Sequence, residues 1–70
     1  SKEFWETLKG CLGHLPARTA HAFTMREVDD MDTDDICKEL EISPTNLWVM
    51  LHRARLQLRA CLEQNWFEKK

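Results

Sequence analysis

Only three residues, Glu41, Ile42 and Ser43, separate two stretches that each carry a helical apolar pattern. On the near side, Ile36 and Leu40 lie four apart; on the far side, Leu47, Leu51, Ala54 and Leu58 recur at steps of four, three and four. Each stretch opens on a start signal. Asp32 can accept from the free N–H groups of a first turn, and Asp34 and Asp35 then stand where the helix dipole favours negative charge. Ser43 is a capping residue, and Pro44 suits a first helical position. A short third helix, a tight link and a longer fourth helix form the layout of a helix-turn-helix. Ile36, Leu40, Ile42, Leu47 and Leu51 are the expected core of its elbow.

Two more helices precede it. Phe4, Leu8, Cys11, Leu12 and Leu15 mark one face of a helix from about Glu3 to His14, with Gly13 near its end and Pro16 beyond. A second helix is expected from Pro16 to Val28. Thr19, Ala22, Phe23 and Arg26 share one of its faces, with Met25 and Val28 flanking, before the acidic residues 29–32 break the pattern. Two glycines, two prolines and few β-branched residues suit helix throughout. The expectation is an all-α domain of four helices with a C-terminal helix-turn-helix and no wing, occupying residues 1–70 as one unit. The abrupt ends, SKEFW and WFEKK, suit a fragment of a longer chain. In the tail, Trp66 and Phe67 either fold back onto the first helix or fray.

The charge is polarised. Net charge is −2, which by itself argues against nucleic acid. Yet eight acids lie between Glu27 and Glu41 against one base, Lys38, while His52 to Arg59 holds three arginines, a histidine and no acid. Such a basic stretch can meet phosphates while the rest of the chain is acidic. The longest apolar run, Leu47 to Leu51, is too short to span a bilayer, and the N-terminus lacks a signal layout, so the cytoplasm is expected. Cys11, Cys37 and Cys61 are odd in number and widely spaced, which predicts buried, reduced thiols and no disulfide framework. Cys11 and His14 have a metal-ligand spacing that Cys37 or Cys61 could complete, but no C-x-x-C pair supports it; neither metal nor cofactor is expected. His14, His21 and His52 are expected at the surface. No nucleophile stands in a recognisable order with histidine and carboxylate, and no glycine-rich phosphate loop is present, so an enzyme is not expected.

An α-helix fits the major groove, where residues of its N-terminal half reach base edges and arginines further along meet phosphates. The run from Leu15 to Arg59, LPARTAHAFTMREVDDMDTDDICKELEISPTNLWVMLHRARLQLR, resembles region 4 of bacterial RNA polymerase sigma factors of the extracytoplasmic-function type. Leu15-Pro16, Phe23 with Met25-Arg26-Glu27, Ile36-Cys37, Leu40 with Ile42-Ser43, and Leu51-His52-Arg53-Ala54-Arg55 with Leu58-Arg59 carry the likeness. The resemblance implies recognition of the −35 promoter element in transcription initiation. It implies docking on the flap of the polymerase β subunit and, in many members, capture by an anti-sigma factor; a monomer is expected. Carried over by position, Thr45, Asn46, Trp48, Val49 and His52 face bases, Arg53 and Arg55 face phosphates, and Arg59 extends the track. Arg18 and Arg26 match positions that support backbone contacts or internal salt bridges.

The chain departs from that pattern at Trp48, Val49 and Met50, where many relatives place Lys or Arg, then Ser, then Arg. Fewer phosphate contacts follow, so the isolated domain should bind DNA weakly. Trp48 and Val49 either touch thymine methyl groups or form an apolar patch for a protein partner, and Trp48 has a third option in packing against the tail. A response-regulator type helix-turn-helix factor, a protein-interaction module and a plain four-helix bundle are the competing readings.

Overall fold

A computed structural model describes residues 1–67. Four helices follow in order: α1 (Lys2–Leu12), α2 (Ala17–Glu27), α3 (Thr33–Leu40) and α4 (Pro44–Leu62), with a wider π-helical turn at Glu63–Phe67. No strand occurs among the described residues. The all-α helix-turn-helix architecture expected from the apolar spacing is the one observed.

Local chemistry sets most boundaries. Asp32 Oδ1 accepts from the Asp35 N–H at 3.0 Å, and Ser43 Oγ from the Asn46 N–H at 3.1 Å, so α3 and α4 open on the predicted caps with Pro44 in the first turn. Ser1 caps α1 in the same way through the Phe4 N–H at 3.2 Å. Pro16 differs from expectation. It is the N-cap of α2 rather than its first residue, because its ψ of 143° is extended while its carbonyl already accepts from the Ala20 N–H at 2.9 Å. The elbow turns on Glu41, whose φ of 56° is left-handed; the N–H groups of Glu41 and Ile42 both point to the Cys37 carbonyl and close α3. Arg18 adds a charged donor there, its Nη2 lying 2.6 Å from the Leu40 carbonyl oxygen. It thus satisfies one of the open carbonyls at the α3 terminus.

The core has two parts, strung along α4. At the elbow, Ile36, Leu40, Leu47 and Leu51 pack with Ala22 and Met25 of α2, and Ile42 covers them from the turn. Further along, Ala54 and Leu58 pack with Cys11 and Leu15. Phe23 touches both groups. No polar side chain is buried among the described residues.

The second part corrects the expectation for the cysteines. Cys11 and Cys61 form a disulfide, with their Cα atoms 5.8 Å apart and a sequence separation of 50; only Cys37 keeps a free thiol among the three. Count and spacing could not show this, because the pairing depends on how two distant helices pack. Phe4 meets Trp66 edge to face at 5.3 Å and Cys11 meets Cys61, so α1 runs back along the end of α4 in the opposite sense. The tail therefore folds onto α1 through Trp66. Beyond Cys61 the helix widens, and the Asn65 side-chain amide donates to the Cys61 carbonyl at 2.9 Å.

Candidate nucleic-acid interface

The elbow decides what α4 shows. Successive residues of an α-helix are turned by about 100°, so burying Leu47, Leu51, Ala54 and Leu58 puts Thr45, Trp48, Val49, His52 and Arg53 away from the core. Thr45, Asn46, Trp48, His52 and Arg53 are exposed, and Val49 is half-buried. Trp48 leaves 66% of its surface open, so packing against the tail is not its role. Its ring lies parallel to that of His52, with centroids 5.2 Å apart and planes 4° from parallel. The two residues are four apart, the spacing that stacks side chains on one helical face. Together they make one flat aromatic plate near the start of α4.

A small hollow of about 120 Å³ lies beside the plate, lined by Arg26, Thr33, Pro44, Leu47, Trp48 and Leu51. Arg26 Nη2 donates to Thr33 Oγ1 at 2.6 Å, tying α2 to the first turn of α3 and fixing one wall. Arg18 and Arg26 thus serve internal hydrogen bonds that position the elbow.

The arginines of α4 do not form one track. Residues two apart leave a helix roughly 200° apart, so Arg53 and Arg55 point to opposite flanks. Arg53 is exposed. Arg55 turns toward α2, with Nη2 3.8 Å from Glu27 Oε1, and Arg59 Nε lies 3.8 Å from Glu63 Oε1. Both pairs are solvent-exposed and weak.

Arg55 and Arg59 instead edge a feature that the sequence reading did not find. Leu8, Phe23, Leu58 and Leu62 line a hollow of about 280 Å³ beneath the two arginines. Leu8 and Phe23 also line a neighbouring hollow of about 450 Å³, with Trp5, Leu12 and Val28. Leu8 and Phe23 wall both hollows, which together make a largely apolar groove between α1, α2 and α4, with Lys9, Thr24 and Glu27 also lining the second. Trp5 and Val28, 56% and 66% exposed, stand on its rim. The available signal was Trp5, which lies off the predicted face of α1 and had no buried role.

The sequence profile of sigma-70 region 4 matches residues 5–58, from within α1 to near the C-terminal end of α4. The chain belongs to the sigma-70 region 4 family. A probable RNA polymerase sigma factor of Haemophilus influenzae is 44% identical over 64 residues, which cover 91% of this chain. Those residues are 33% of that relative, so the chain spans about a third of its length. No solved structure matches. The region 4 profile ends at Leu58, so Cys61 and the π-helical turn lie beyond it. No helix among the described residues is long and apolar enough to cross a membrane.

Proposed function

We propose that this region 4 domain recognises promoter DNA at the −35 element, as the C-terminal domain of an alternative sigma factor of the extracytoplasmic-function type that directs RNA polymerase in the cytoplasm. The observation that carries this reading is the Trp48–His52 plate, held outward on a capped helix by the elbow core. Thr45, Asn46, Trp48, Val49 and His52 face base edges; a stacked aromatic surface suits thymine methyl groups, which offer apolar contact in the major groove. Arg53 meets a phosphate on the open flank, and Arg55 and Arg59 add basic character once released from Glu27 and Glu63. The role is one of binding, with no chemistry performed on the DNA.

The apolar groove supports a second contact of the same assembly. Its walls suit an apolar helix or loop, and we assign it to the flap of the polymerase β subunit, with an anti-sigma factor as the competing occupant. The domain itself acts as a monomer.

The test is a salt titration of promoter binding by the intact protein in complex with core polymerase. Steep dependence is expected, with Arg53→Ala lowering the slope by about one phosphate's worth. Promoter binding with no salt dependence, or unaltered by Arg53→Ala together with Trp48→Ala, would defeat the proposal.

A further inference from the structure

We propose that Cys11 and Cys61 form a reversible thiol–disulfide couple that sets how firmly this domain holds its polymerase partner. The inference rests on the transcriptional reading above. A protein working beside RNA polymerase works in a reducing compartment, where a disulfide is ordinarily made and unmade in response to redox state.

The site has a buried half and a rim half. Cys11 is 2% exposed, whereas Cys61 is half-buried. A hollow of about 260 Å³ opens beside the pair, with Thr7, Gly10, His14 and Asn65 around it. Gly10 has open space where a side chain would stand, which leaves that approach clear. Asn65 Nδ2 lies 3.5 Å from Cys61 Sγ, a donor placed to stabilise negative charge on that sulfur.

The exchange balances with a dithiol as co-reactant. Its thiolate attacks Cys61 Sγ, and the bond to Cys11 Sγ breaks. Cys11 leaves as a thiolate and takes a proton, while Cys61 is held in a mixed disulfide. The second thiol then closes on the first, releasing Cys61 as a thiolate that Asn65 faces until it is protonated. Two electrons and two protons pass to the cysteine pair, and the dithiol becomes a disulfide. The reverse exchange, with an oxidised dithiol, restores the bond.

The consequence follows from what the bond joins. α1 supplies Trp5, Leu8 and Leu12 to the apolar groove, and α4 supplies Leu58 and Leu62. Cys11–Cys61 ties these walls together. Without it, α1 is held by Leu8 and Leu12, packed with Phe23 and Leu62 around Leu15, Ala54 and Leu58, and by the Phe4–Trp66 contact, with no covalent tie to α4. The elbow core shares none of its buried residues with that cluster. Trp48 lies roughly 20 Å along α4 from Cys61. Oxidation therefore firms the polymerase-facing groove and leaves the promoter-facing plate as it is.

The experiment uses the intact protein equilibrated with mixtures of reduced and oxidised dithiothreitol, then quenched by alkylation. Peptide mapping should find Cys11 joined to Cys61 in oxidising mixtures and separately alkylated in reducing ones, with Cys37 alkylated in both. Oxidised protein should bind core polymerase more tightly than reduced protein, by roughly 5-fold or more, with unchanged preference among promoter duplexes. A Cys11→Ser/Cys61→Ser variant should match the reduced form and ignore the mixture, while Cys37→Ser should respond as the parent does. Absence of the joined peptide, or equal polymerase affinity in the two states, overturns the couple while leaving the transcriptional reading intact. Binding to polymerase in neither state overturns that reading, and this inference with it.

Discussion

A single side chain, Trp48, concentrates the functional argument at the residue scale. An exposed tryptophan stacked on a histidine is costly to display unless something covers it, and here the elbow leaves it uncovered. Trp48→Ala is expected to weaken promoter binding by about 1 kcal/mol more where the contacted pair carries a thymine methyl than at a cytosine. Binding assays on duplexes with T→C and T→U changes measure this, since uracil lacks the methyl; equal losses on all three duplexes would remove the methyl contact. Trp48 and His52 were legible as outward residues because the inward stripe of α4 is unambiguous. The family resemblance pairs Arg53 with Arg55 at phosphates, whereas the helix sends them to opposite flanks. The groove residue Trp5 was passed over because one helix read alone gives no sign of what its neighbours leave open.

Among the elements, the link between α3 and α4 is the most constrained. Glu41 holds a left-handed φ of 56° without being glycine, a conformation that costs an L side chain roughly 1 kcal/mol. Glu41→Gly should therefore raise stability slightly, by up to about 0.5 kcal/mol after the added freedom of the unfolded chain is subtracted, as measured by urea unfolding. A loss of stability would mean that the carboxylate contributes something the geometry does not explain. Ser43→Ala removes the hydroxyl that caps α4 and should cost about 1 kcal/mol; the same denaturation curves report it. The helix starts were readable in advance because a cap acts within three or four residues. The stop at Glu41 was readable only as a break, since no glycine announced it. Pro16 was misplaced by one position because its missing N–H suits the cap as well as the first turn.

At the scale of the whole molecule, the covalent link between α1 and α4 dominates stability. A bond closing 50 residues of chain restricts the unfolded state enough to contribute roughly 2–4 kcal/mol. For a domain of this size, reduction should lower the midpoint of thermal unfolding by at least about 10 °C. Calorimetry on oxidised and reduced protein tests this, and coincident transitions would rule it out. The link was invisible in the sequence because cysteine arithmetic weighs number and spacing, while pairing depends on which distant helices come to lie side by side. The divided core carries a further implication. The group around Leu15 and Leu58 has fewer fully buried residues than the elbow core, and its further apolar neighbours Leu8, Leu12, Phe23 and Leu62 are only partly buried, so once the sulfurs part, that end is held less firmly than the elbow. Opening should then proceed in two tiers. Deuterium would enter the amides of α1 in the reduced protein well before those of α3, and Phe23, which touches both clusters, would stand at the boundary between the tier that breathes and the tier that waits for the whole chain to unfold.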